Sequence, residues 1–178
     1  MKKILFGLTA LGLAAATNAS ADKVGGYLLG AQYTQERSDG SALRYGVGVP
    51  GLSVFSGFGA GVSLSGDVSY LRPLNTTSAP AQTVVNAVAQ VNAYDLYYGG
   101  SLGLSAALGG ASGVVAGGVG ITPSALIGVE FNLTSPFSVF LEGSLGYTIS
   151  FGGSNVSGAG VSGNFAPGIR LGVNYKLN

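Results

Sequence analysis

The stretch GIRLGVNYKL, residues 168–177, alternates without a break. Ile169, Leu171, Val173, Tyr175 and Leu177 fall on one side, and Gly168, Arg170, Gly172, Asn174 and Lys176 on the other. Successive side chains of a strand point to opposite faces, so this is a strand with one apolar face and one small or polar face. Chain ends fray unless a sheet holds them, so a strand running this close to Asn178 predicts pairing at the terminus.

The same period recurs along the chain. Leu43, Tyr45, Val47 and Val49 alternate with Arg44, Gly46 and Gly48, and Phe58 to Tyr70 and Tyr94 to Ser105 repeat the pattern. So do Ala125 to Leu133 and Ser138 to Phe151, while Gly26 to Tyr33 reads as the first strand, with Tyr27, Leu29, Ala31 and Tyr33 on its apolar face. These segments predict seven strands, and both ends of an up-and-down barrel lie on one side only if the number is even. The eighth is expected at residues 82–91, with residues 112–119 as the competing segment. On that count residues 49–57, 92–93 and 134–136 are the short turns, and residues 34–42, 73–81, 108–120 and 152–163 are the longer Gly/Ser-rich loops.

Composition narrows the class. Charged residues make up 8% of the chain and 32 of its 178 residues are glycine, against roughly a quarter and 7% in ordinary soluble domains. Met1-Lys2-Lys3 followed by an apolar run from Ile4 to Ala16, with Ala19 and Ala21 at the cleavage positions, predicts a signal peptide over residues 1–21. Residues 22–178 then form one exported domain that holds together without a cysteine. Beyond Ala21, six basic residues face seven acidic ones, a balance that gives no electrostatic footprint for nucleic acid. High apolarity, few charges and no spanning-helix stretch in the mature part predict a closed transmembrane β-barrel, antiparallel and up-and-down.

The charges say which face points out. Arg44, Asp67, Asp95, Glu130, Glu142, Arg170 and Lys176 all share the Gly/Ser face of their strands. A Lys or Arg facing lipid at the bilayer midplane costs about 2–4 kcal/mol, so an apolar face without charges fits lipid and the Gly/Ser face fits a narrow interior. A soluble barrel of the lipocalin kind would invert the faces and need the Gly/Ser side to meet water. Tyr33, Tyr45, Tyr70, Tyr94, Tyr147 and Tyr175 lie on the apolar face near predicted strand ends, as an interfacial belt requires.

In this layout the chain resembles the small outer-membrane β-barrels of diderm bacteria, the eight-stranded OmpA/OmpX-type family. Members of that family carry a C-terminal assembly signal, which Arg170, Gly172, Tyr175 and Leu177 match position for position. The resemblance implies location in the cell outer membrane, contact with its lipid, and recognition of the last strand by the barrel-assembly machinery.

Chemistry is limited by inventory. With no histidine and no cysteine, His-assisted serine chemistry, cysteine nucleophiles and His/Cys metal sites are absent. The reading is a non-enzyme without cofactor or metal, and a monomer. Gly46, Gly48 and Gly51 fit the letter of a dinucleotide-binding glycine pattern but follow no βαβ context. The inward charges are the candidate site: Glu130, Glu142 and Arg170 are expected to cluster, with Arg44 and Asp67 as a second pair. They serve either to satisfy one another structurally or to constrict a small pore. The expected role is therefore structural or surface interaction, with a porin-like passage for small solutes or a lipophilic ligand as the alternative.

Overall fold

The computed structural model describes residues 22–49, 61–74, 93–111, 113–133 and 136–177. Eight antiparallel strands follow one another in a single sheet that closes on itself: β1 (Lys23–Tyr27), β2 (Gly30–Glu36), β3 (Ala42–Gly48), β4 (Gly61–Pro73), β5 (Ala93–Ala111), β6 (Val114–Asn132), β7 (Phe137–Ser154) and β8 (Gly160–Lys176). No helix occurs among the described residues, and none is long and apolar enough to cross a membrane. The ring closes where Lys23 to Tyr27 pair with Lys176 to Gly172.

Stepping from Lys23 through Thr34, Arg44, Ser69, Ser101, Ser124 and Gly146 reaches Ala166 on β8. Lys23 itself pairs with Lys176, so the stagger around the ring is 176 − 166, ten residues. At about 3.3 Å per residue and about 4.8 Å between strands, that stagger tilts eight strands by about 40° and sets a backbone radius of about 8 Å. Such a ring is wide enough for side chains from opposite walls to meet.

The count of eight strands agrees with the sequence expectation, but the extra strand lies elsewhere. Gly26 to Tyr33 is not one strand: it folds back at Leu28-Leu29 into the β1–β2 hairpin. Leu29 takes a left-handed φ of 71°, in a turn that lacks the glycine or asparagine usual there. The reversal puts Tyr27 on the inner face, where Arg170 covers its ring, while Ala31 and Tyr33 keep the outer-face parity of Val24. The competing segment 112–119 supplies no separate strand, because β6 begins at Val114 and continues to Asn132. Residues 82–91 lie outside the described residues, and the eight strands close without them.

The connections shift accordingly. The strand ends place the links β2–β3, β4–β5 and β6–β7 at the end that carries both termini, and the other four links at the far end. The expected outer loops 34–42 and 73–81 therefore start at the terminal end and the expected inner turn 49–57 starts at the far end; residues 50–57, 75–81 and 134–135 lie outside the described residues.

Strand lengths are unequal. β1 to β3 have 5 to 7 residues and β5 to β8 have 17 to 19, so among the described residues one wall is lower at the far end. Among the described residues nothing pairs with the β1-facing edge of β8 between Gly160 and Arg170. Leu171 O accepts from Leu28 N and Leu177 N donates to Asp22 O, so odd-numbered residues of β8 turn their backbone polar groups to this edge. Pro167 is odd-numbered. Its missing N–H therefore removes no bond to β7 and blunts the open edge, the position where a sheet tolerates proline.

Because Leu29 is about half exposed, replacing it removes little packing. Leu29→Gly is expected to stabilise the hairpin by about 1 kcal/mol, the order of the left-handed penalty for a residue with a Cβ. A raised urea midpoint measured by far-UV circular dichroism checks this.

Candidate functional site

Closure gives the two faces of each strand different surroundings. The apolar face is outward: Val47, Val68, Leu102, Ile127, Leu141 and Leu171 are all exposed, and Ile169 is 86% exposed. Outward aromatics cluster toward the terminal end, where Phe137 and Tyr175 pack edge to face at 5.2 Å. Toward the far end Tyr147 and Phe165 do the same at 5.5 Å. Arg72, near the end of β4, is an exposed charge with outward parity.

The inner face is where charge collects. Arg44 Nη2 lies 2.7 Å from Glu142 Oε2, with the two side chains only 2% and 4% exposed. Tyr97, packed beside the small inner cluster of Ala42, Leu71 and Leu126, donates its hydroxyl to the same Glu142 oxygen at 3.2 Å. Arg170 reaches Asp67 with two nitrogens, at 2.9 and 3.5 Å, and lies 4.5 Å above the centre of the Tyr27 ring. Ser69 donates to the second Asp67 oxygen at 3.0 Å.

A second layer lies nearer the termini. Lys23 bridges Glu36 at 2.8 Å and Glu130 at 3.0 Å. Glu130 also accepts from Ser138 and, at 3.1 Å, from Asn174, which in turn accepts from Gln32 at 2.9 Å. Phe140, 1% exposed, fills the space against Gly172, where an added Cβ would lie 2.3 Å from Gly26 O and 2.7 Å from the Phe140 ring.

All five charges singled out in the sequence thus take part in ion pairs inside the ring, but with other partners. Glu142 and Arg170 are directly opposed in register, yet each bridges to a different strand: Arg44 to Glu142 and Arg170 to Asp67. Glu130 joins Lys23 instead of the expected Glu142–Arg170 cluster. The tilt explains the exchange, since long inward side chains reach across the interior as readily as along the register. Lys23, Tyr27 and Tyr97 had no place in the expected site. Lys23 precedes the alternation counted from Gly26, and it shares its parity with Tyr27, which that alternation places on the outward face.

The C-terminal residues divide by face. Arg170 and Gly172 are inward, Tyr175 is outward, and Leu177 follows β8 with its N–H bonded to Asp22 O at 2.7 Å. Ala19 and Ala21 lie outside the described residues. Asp95 accepts from Asn132 at 2.8 Å in an exposed position. At the terminal-end turn, Ser41 donates both its hydroxyl and its backbone N–H to Asp39, which holds that carboxyl below the usual carboxylate range.

Arg44, Asp67, Glu142 and Arg170 form the floor of a cavity of about 1260 Å³ that opens toward the far end. Its walls come from β4 to β8 and carry the hydroxyls of Ser65, Ser105, Thr122, Ser124, Ser144 and Thr148. No group of three or more potential metal-ligating side chains occurs among the described residues.

The model of a family of unknown function (DUF6861) matches residues 73–139, from the end of β4 to the start of β7. No curated protein and no solved structure matches the chain.

The Arg44–Glu142 pair is buried deeply enough that removing one member leaves the other charge without compensation. Glu142→Ala or Arg44→Ala is expected to destabilise the protein by about 3 kcal/mol, and Arg44→Met with Glu142→Met by less than either. Denaturant midpoints followed by circular dichroism distinguish this from additive losses.

Proposed function

We propose that the chain is an integral outer-membrane β-barrel protein with a structural and surface-presenting role, matured by removal of residues 1–21. The observation that carries this reading is the orientation of the faces. The exposed exterior of the ring is apolar along all its long strands, while Arg44, Glu142, Asp67, Arg170, Lys23 and Glu130 are tied to one another inside. An exterior of this kind in water would be a very large exposed apolar patch, whereas in lipid it is the expected surface. The aromatic pairs Phe137–Tyr175 and Tyr147–Phe165 suit headgroup-level belts. On this reading the last strand is handed to the barrel-assembly machinery through Arg170, Gly172, Tyr175 and Leu177, and the protein acts as a monomer.

The cavity favours a second reading, a narrow pore for small solutes, and the ion pairs beneath it oppose that reading. Below Arg44–Glu142 and Arg170–Asp67 the interior is filled by Tyr97, Phe140, Gln32 and Asn174. A ring about 8 Å in radius has little room beside such a stack. The arrangement is a blind vestibule with a charged floor.

The expected outcome is fractionation with outer membranes and a folded band that migrates differently from the boiled one, with no steady conductance from purified protein in planar bilayers. Recovery in the soluble periplasmic fraction, without a heat-dependent shift, would contradict the membrane assignment.

A further inference from the structure

We infer that the cavity above the charged floor is a binding site for a small, neutral, polyhydroxylated solute of the sugar or sugar-alcohol class. This rests on the reading above only in taking the far rim to open to the external medium.

Two buried polar atoms beside the cavity lack partners. Arg44 is 2% exposed and Ser63 is 7% exposed, both line the cavity, and neither Arg44 Nε nor Ser63 Oγ has a hydrogen-bond partner. Buried polar groups are nearly always satisfied, but both atoms are closed to a water-sized probe, so an occupant reaches them only after a small shift of the side chain.

Charge selects against ions. The ionisable groups lining the cavity are Arg44, Asp67, Glu142 and Arg170, two of each sign, already paired at 2.7 and 2.9 Å. An anion would face Asp67 and Glu142, a cation would face the two arginines, and a zwitterion would have to break the existing pairs. A neutral donor–acceptor can use the wall hydroxyls without disturbing them.

The walls have matching chemistry. Ser101 and Ser124 pair across β5 and β6 at 2.5 Å, and Thr122 and Thr148 across β6 and β7 at 2.8 Å. One hydroxyl of each pair donates to the other, which leaves each pair one spare donor together with open acceptor positions. A ligand rich in hydroxyls presents the same dual capacity. The volume exceeds the roughly 300–1,000 Å³ of ordinary small-molecule sites, leaving room for a disaccharide and bridging waters. Hydroxyls compete with water for such a ligand, so the expected Kd is on the order of 1 mM.

The test is a titration of isotope-labelled, folded full-length mature protein with maltose, read by amide chemical shifts, with gluconate and glycine betaine as charged and zwitterionic comparisons. Maltose is expected to move wall amides such as Ser105, Ser124 and Ser144 but not Ser138 or Asn174 in the terminal-end layer. Ser124→Leu, which fills the space, is expected to weaken binding about tenfold. Thr148→Ala, a smaller change that keeps the fold, should weaken it in the same direction. Absence of wall shifts at saturating maltose would overturn the assignment, as would equal or larger shifts with gluconate or betaine. Loss of the heat-dependent gel shift would count against the membrane reading alone, because the titration reports the inside of the ring in either case.

Discussion

A closed sheet has an inside and an outside, and the two-residue period of a strand assigns every side chain to one or the other. In this protein that constraint decides nearly everything else. Once Lys23 to Tyr27 pair with Lys176 to Gly172, the alternation in the long strands sends Leu102, Leu141 and Leu171 outward and Ser101, Glu142 and Arg170 inward. A slip of one residue in any pairing would exchange the two sets on that strand and put charges on the apolar surface. The apolar exterior goes with the low overall charge: within the ring Lys23, Glu36, Arg44, Asp67, Glu130, Glu142 and Arg170 are paired, while Arg72 and Asp95 lie exposed near strand ends.

Inside, the charges are organised by reach. The ten-residue stagger tilts the walls enough that Arg170, opposed in register to Glu142, bridges to Asp67 on β4 while Arg44 takes Glu142. These crossings tie β3 to β7 and β4 to β8, strands that are not neighbours in the sheet. They brace the ring and, together with Tyr97 and Phe140, separate a filled lower interior from the open cavity above. Charge pairs so placed are weak evidence for net stability but strong evidence for a fixed arrangement, since a lone buried charge is expensive.

Much of this was legible in the chain because period and charge are local signals. The faces of β3 and of β5 to β8 follow directly from their alternation, as does the inward placement of Arg44, Asp67, Glu130, Glu142 and Arg170. The hairpin at Leu28-Leu29 was hidden for a physical reason: its turn uses a leucine at φ 71°, so no glycine or asparagine marks the reversal. Missing that turn carried Tyr27 to the wrong face and moved the count of the eighth strand to residues 82–91 or 112–119. The ion-pair partners were out of reach as well, because a register gives cross-strand neighbours but not the contacts of long side chains across a tilted interior.

The central claim, that the apolar face of the ring meets lipid, can be measured directly because the chain has no cysteine and any introduced one is a unique label. Fluorophores at Leu102→Cys, Leu141→Cys and Leu171→Cys should be quenched by brominated lipids and shielded from aqueous iodide. Labels at Ser101→Cys and Ser124→Cys should show little lipid quenching. The reverse pattern, or iodide quenching of all five, would contradict the account.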